Sequence, residues 1–178
     1  MKFITKSPEE TYRVAQKLIE KLNPGDILAL KGNLGSGKTC FAQGLAMALG
    51  VKKTVTSPTF TLLKIYPVKS KQIKKIYHFD LYRINNEKEF LNLGFEEIYK
   101  KKDGIIVIEW PERAKKNLPQ KTINIIFKFI DENIREIACS EKLFVQDIEN
   151  YLKKTGIHDL KSFGMEKVRQ GITTPMEL

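Results

Sequence analysis

The stretch Ile27-Leu28-Ala29-Leu30-Lys31-Gly32-Asn33-Leu34-Gly35-Ser36-Gly37-Lys38-Thr39 decides the fold. Its first four residues form an unbroken apolar run of strand length, as a strand covered on both faces requires. The loop has the spacing Gly-x-x-x-x-Gly-Lys-Thr, and beyond it Phe41, Leu45, Ala48 and Leu49 recur at helical spacing before Gly50 offers a stop. A chance match to that spacing in a chain this long is on the order of one in a hundred. The flanks strengthen it, because a strand running through a glycine loop into a helix aims backbone N–H groups and a positive dipole end at one point, which favours a phosphate. The stretch therefore reads as a phosphate-binding P-loop. Asn33, Leu34, Gly35, Ser36, Gly37, Lys38 and Thr39 are its nucleotide-contact residues, Lys38 bridging the β- and γ-phosphates and Thr39 placing its hydroxyl on Mg²⁺. No Asn-Lys-x-Asp element is present, which favours ATP over GTP.

Upstream, Ser7-Pro8-Glu9-Glu10 reads as a capping box that starts a helix running to about residue 21, with Val14, Leu18, Ile19 and Leu22 as its apolar stripe. Asn23-Pro24-Gly25-Asp26 then turns the chain into the apolar run. Downstream, the Thr-rich residues 54–63 read as a loop entering a strand. Ile76-Tyr77-His78-Phe79 and Ile105-Ile106-Val107-Ile108 are further strand candidates, each ending in an acid, Asp80 and Glu109. A magnesium–phosphate centre needs an acid opposite the loop, and open α/β sheets put their ligands at the carboxyl ends of strands. Glu109 fits that need as a metal ligand, directly or through water, and Asp80 is the second candidate. The plain alternatives are a helix-capping Glu before Pro111 and Glu112, and a turn Asp. His78 reads as a packed, hydrogen-bonded strand residue rather than a base. Trp110 is either core filler or a rigid ring at the site. The hydroxyls of Ser57, Thr59 and Thr61 would sense a γ-phosphate or merely satisfy a turn.

Residues 86–102 read as short helical pieces around Gly94, and 122–130 as a strand. Asp131-Glu132-Asn133 is a hairpin turn, 134–140 the antiparallel return, and 141–154 a closing helix. The expected fold is α/β: a P-loop NTPase with a central mixed, mainly parallel sheet flanked by helices and a late antiparallel hairpin. One domain, 1–154, would be followed by a C-terminal extension, 155–178, helical or partly disordered. Within it, residues 164–174 briefly resemble the C-terminal end of secretion and pilus-assembly ATPases.

A chain of 178 residues buries enough surface to need no metal or disulfide staple. Cys40 and Cys139 lie about a hundred residues apart with no Cys-x-x-Cys pair, which argues against a zinc site or a disulfide framework. No signal-peptide run and no membrane-length apolar stretch is present, so a soluble cytoplasmic protein is expected. The net charge of +10 invites a nucleic-acid reading, yet only five of the 31 basic residues are arginine (13, 83, 113, 135 and 169). The lysines are spread along the whole chain, the pattern of a solvated surface.

Four blocks, in this order and spacing, are similar to the bacterial TsaE family, the ATPase component of tRNA threonylcarbamoyladenosine synthesis: Gly32 to Thr39, Ser57-Pro58-Thr59-Phe60-Thr61-Leu62, His78-Phe79-Asp80-Leu81-Tyr82-Arg83 and Glu109-Trp110-Pro111. The likeness spans about residues 5–154. Asn33 stands where the family usually has Asp, and Ser36 and Cys40 where Ala and Thr are common. The resemblance implies ATP hydrolysis in support of a partner heterodimer that transfers a threonylcarbamoyl group to tRNA, the tRNA being met only through that complex. It further implies Thr39 and Glu109 as Mg²⁺ ligands, Lys38 as phosphate clamp, Asp80 and Trp110 as essential neighbours, and Glu10 and Arg135 as additional nucleotide contacts. Two other readings remain open. A small P-loop kinase would need an Arg-bearing lid that this composition does not offer, and a nucleotide-gated binding module would need little turnover.

Overall fold

The computed structural model describes residues 2–139. The expected helix at 141–154 and the C-terminal extension at 155–178 lie outside the described residues. Seven strands form: β1 (Lys2–Thr5), β2 (Ile27–Lys31), β3 (Leu63–Pro67), β4 (Lys75–Asp80), β5 (Gly104–Glu109), β6 (Ile123–Phe129) and β7 (Arg135–Cys139). They make one sheet in the order β1-β7-β6-β2-β5-β4-β3. The four central strands, β6, β2, β5 and β4, are mutually parallel. The flanks are antiparallel, β3 on β4 at one end and the β6–β7 hairpin with β1 at the other. The sheet is thus mixed, parallel where it is buried and antiparallel where it meets its edges, as a doubly covered centre favours.

Helix α1 (Pro8–Ile19) starts at the expected cap, where Ser7 accepts from the Glu10 N–H. It ends two residues earlier than the sequence reading and buries Thr11, Ala15 and Leu18, whereas Val14 and Ile19 are only half-buried. The cause is helix α2 (Lys38–Ala48), which packs closely on it. A Cβ on Gly44 would lie 2.8 Å from the Tyr12 Cα and 2.9 Å from the Ala15 Cβ, so the face that meets α2 must be built from small groups. Helix α2 buries Phe41, Ala42, Leu45 and Ala46, and Phe41 meets Phe127 of β6 edge to face at 5.4 Å. Ala48, assigned by its spacing to that stripe, is exposed.

Helices α3 (Glu87–Leu91) and α4 (Phe95–Lys101), and a kinked 3-10 segment at Pro111–Asn117, belong to the second face. There Ile27, Tyr77, Phe79, Ile106 and Ile108 of the sheet join Leu81, Ile84, Phe90, Phe95, Ile98 and Ala114 in one buried cluster. Side chains alternate across a strand, so putting Tyr77, Phe79, Ile106 and Ile108 into this cluster turns His78, Asp80, Val107 and Glu109 to the α2 face. That alternation places the two acids beside the P-loop. Strand β1 was not anticipated from the sequence. It forms because the β6–β7 hairpin leaves the outer edge of β7 unpaired, and Lys2–Thr5 hydrogen-bonds along it from Ala138 to Arg135.

Candidate functional site

The loop between β2 and α2 is shaped by its glycines. Gly32 has φ +153°, and a Cβ there would stand 2.6 Å from both the Phe127 carbonyl and the Ser36 hydroxyl. Only glycine fits between β6 and the loop. Gly37, left-handed at φ +99°, is the N-cap of α2 and provides no side-chain cap. The first N–H groups of α2 therefore keep their donors for an anion. Lys38 is buried and donates through Nζ to the carbonyls of Gly32 at 2.7 Å and Asn33 at 2.8 Å. Its ammonium also lies 4.1 Å from the centre of the Trp110 ring. Burial pushes the Lys38 pKa down, and the charges of Glu109, Glu112 and Asp80 hold it up. The ammonium has a third N–H to give, enough for one phosphate oxygen.

Asp80 and Glu109 are Cα partners at the ends of β4 and β5. Glu109 is buried and accepts from the Thr39 hydroxyl through both carboxylate oxygens, at 2.9 and 3.0 Å. It also shares a hydrogen with His78 Nε2 at 2.9 Å. Asp80 is tied to a loop instead. Its Oδ2 accepts from the hydroxyls of Ser57 and, at 2.9 Å, Thr59, while Oδ1 accepts from the Tyr82 N–H at 2.9 Å. Thr61, grouped with these hydroxyls by sequence, is exposed and makes no contact of this kind.

These groups open into a cavity of about 470 Å³. Of the sequence-predicted residues, Leu34, Gly35, Gly37, Lys38, Thr39, Asp80, Glu109, Trp110 and Arg135 line it. Asn33 and Ser36 do not: Asn33 is exposed and serves Lys38 through its carbonyl, and Ser36 is buried beneath Gly32. Glu10 is also outside the lining: its carboxylate reaches back 2.7 Å to the Lys6 N–H, one residue before the Ser7 cap rather than to the cap's own N–H. Its neighbours Ser7, Pro8 and Thr11 take the wall at that end, with Cys40, whose thiol burial pushes up, and with Glu132 and Asn133 from the hairpin turn. Sequence offered one signal for these, their closeness to the cap and turn already identified. Trp110 is left-handed at φ +59°, a conformation a bulky residue adopts at a cost, and it packs 5.0 Å from the Tyr82 ring. Arg135 holds the hairpin turn, donating to the carbonyls of Asp131, Glu132 and Ile134.

Among the described residues no group of three or more His, Cys, Asp and Glu side chains is gathered as a metal cage. The Thr39 hydroxyl and the Glu109 carboxylate, in contact beside the loop, are nevertheless a fitting donor set for Mg²⁺. That ion takes one or two hard protein oxygens, fills its octahedron with water and phosphate oxygens, and needs no cage.

A strand, glycine loop and helix with strand-end acids beside them, on a sheet parallel at its centre, define a P-loop NTPase fold. The crystal structure of YdiB from Bacillus subtilis has the same architecture, with a TM-score of 0.65 and 31% identity over 84% of this chain and 92% of that one. The chain belongs to the TsaE family: the family model for threonylcarbamoyl adenosine biosynthesis protein TsaE matches residues 5–137. The tRNA threonylcarbamoyladenosine biosynthesis protein TsaE of Bacillus subtilis is 39% identical, covering 78% of this chain and 84% of that protein. The Treponema pallidum protein of the same name is 37% identical over 79% of this chain and its own full length.

Proposed function

We propose that the protein binds ATP with Mg²⁺ and hydrolyses it in support of the threonylcarbamoyl-transferase heterodimer that modifies tRNA. The observation that carries this is the convergence of three groups at the mouth of the P-loop: the Lys38 ammonium, the Thr39 hydroxyl and the Glu109 carboxylate. In that arrangement the α2 N–H groups and Lys38 take the phosphate oxygens, and charge that develops on the γ-phosphoryl group meets a preorganised cation. Thr39 and Glu109 would hold Mg²⁺, which supplies further neutralisation of the β- and γ-oxygens. Asp80 acts at one remove by fixing the Ser57–Thr59 loop against the cavity. Transfer to tRNA belongs to the partner, and this chain meets tRNA only through it. Among the described residues no helix is long and apolar enough to cross a membrane, and the cytoplasm, where tRNA is modified, is the proposed place of work.

The test is phosphate release from ATP, with and without Mg²⁺, by the full chain and by Lys38→Ala. Metal-dependent release that falls by about 10² or more in the variant is expected. Equal release by both chains would remove the assignment, and a mass shift on a metabolite in place of released phosphate would make it a kinase.

A further inference from the structure

We propose that His78 is a positioning residue for Glu109, holding one carboxylate oxygen so that the other stays turned to the cation. The inference rests on the Mg²⁺–nucleotide reading of the site and extends it to a residue that the sequence marked as packed and hydrogen-bonded, with no partner named. His78 lies two residues before Asp80 on β4, and Asp80 pairs with Glu109 on β5, so His78 is the diagonal same-face neighbour of Glu109. Their side chains are 1% and 4% exposed, and Nε2 meets Oε1 at 2.9 Å. A carboxylate only accepts, so the shared hydrogen sits on Nε2.

The two oxygens of Glu109 are thereby made unequal. Oε1 takes His78 and Thr39, whereas Oε2 takes Thr39 alone among the described residues. Rotation about the terminal bond of a Glu side chain is broad. The Thr39 hydroxyl, nearly equidistant from both oxygens, has a single hydrogen and favours neither, so without His78 the carboxylate would sample planes that hold neither oxygen steadily outward. Among the described residues the buried Nδ1 atom of His78 has no hydrogen-bond partner. A side chain kept for volume alone would do better as a hydrocarbon, since the unmet nitrogen costs free energy. Among the described residues, what the imidazole contributes is its bond to Glu109. Outer groups of this kind typically change metal affinity by about 10- to 100-fold.

The experiment uses the full chain with ADP and Mn²⁺, reading free Mn²⁺ by electron paramagnetic resonance, and ADP binding in EDTA by calorimetry. His78→Leu should weaken Mn²⁺ binding by about 10- to 100-fold while metal-free ADP affinity stays within about twofold. His78→Gln, whose amide nitrogen falls near the place of Nε2, should recover most of the loss. A folded leucine variant that holds Mn²⁺ as tightly as the unsubstituted chain overturns the proposal, as does a glutamine variant no better than leucine. Should His78→Leu not fold, His78→Asn, whose amide is too short to reach Glu109, gives the same readout. Loss of Mn²⁺ affinity in Glu109→Gln but not in the His78 variants sinks only the role of His78. No nucleotide-dependent Mn²⁺ binding by the unsubstituted chain sinks the underlying reading instead.

Discussion

Asp80 and Glu109 stand side by side in register at the ends of β4 and β5, yet their carboxylates are committed to different work. Three hydrogen bonds from Ser57, Thr59 and Tyr82 engage both oxygens of Asp80 within the protein. Glu109 faces Thr39 and the cavity, with capacity left on Oε2. Each carboxylate has three of about four acceptor sites taken, so the difference lies in the partners. Those of Asp80 belong to a loop and its own turn, which makes it a tether, whereas Glu109 shares the hydroxyl of Thr39 beside the P-loop. The backbone agrees, since the Asp80 N–H also donates to the Leu62 carbonyl where the same loop enters β3.

Replacing Asp80 with Ala should therefore free the loop before it disturbs the nucleotide. Amide hydrogen exchange at residues 56–62 should rise, because local opening is governed by the few bonds that hold such a segment. Turnover should drop by about 10-fold or more while ATP affinity changes little, as expected when an interaction needed only for the reacting geometry is lost. Unchanged protection of the loop in a folded Asp80→Ala chain would contradict the tether.

Glu109→Ala should show the opposite division. The P-loop backbone and Lys38 remain, so ATP binds in EDTA as before, but Mg²⁺ no longer strengthens binding or supports hydrolysis. A titration of ATP affinity against Mg²⁺ concentration reads this directly. If metal-free affinity collapsed as well, the residue would be holding the fold together through Thr39 and His78 rather than serving the metal.

Much of this was legible in the chain because it rests on local patterns. The apolar run at 27–30, the glycine loop and the strand-ending acids each announce themselves within a dozen residues, and all formed in place. What stayed hidden depends on which strands become neighbours. Nothing near His78 in sequence says that β4 will lie parallel to β5 with Asp80 opposite Glu109, and the His78–Glu109 bond follows only from that register. Strand β1 needed the free edge of β7, more than a hundred residues away. Glu10 carries two cues, since likeness to a family suggested a nucleotide contact and the capping box a bond to the helix start, and its carboxylate accepts from the Lys6 N–H, a partner neither cue named.

Away from the site, Asp103 links pH to stability. The Lys75 ammonium at 2.9 Å holds its carboxyl below the usual range, helped by the Tyr77 hydroxyl at 2.8 Å and opposed by partial burial. A carboxyl whose pKa is lower folded than unfolded adds stability above its unfolded pKa, and that stability fades as pH falls through the folded value. The unsubstituted chain should thus be more stable than Asp103→Asn at pH 7, and the difference should start to shrink below roughly pH 5 and vanish at lower pH. Lys75 is substantially exposed, so the gap should be small and smaller still in 1 M salt. Thermal unfolding of both chains across pH checks this, and a gap that widened on acidification would reverse the assignment.

Turnover by the isolated chain should be slow, and the reason lies in where its arginines are spent. Hydrolysis of this kind gains about 10³ to 10⁵ in rate from a guanidinium on the γ-phosphoryl oxygens. Among the described residues Arg135 is the one arginine lining the cavity, and its Nη1 is bound to three hairpin carbonyls while the guanidinium lies 4.5 Å from the Phe129 ring centre. Arg83, three residues past Asp80, is stacked 4.3 Å over Phe60, itself 82% exposed at the rim of the Ser57 loop. Each guanidinium is thus already engaged, although the Arg135 stem passes beside Gly37 of the P-loop. Exposed Phe60 and Leu34 are apolar surfaces a partner would cover, and covering Phe60 would disturb the stacked Arg83. A partner heterodimer that docks there should raise turnover number well above that of the chain alone, by supplying a cation or by redirecting Arg83. Phe60→Ala should blunt the rise without altering the basal rate. Trp110, the single tryptophan, lies against Lys38 and Tyr82, so its fluorescence should report docking and nucleotide together. Steady-state phosphate release with and without the heterodimer decides the matter: equal rates, with association confirmed by sedimentation, would mean that the site is already complete within this chain.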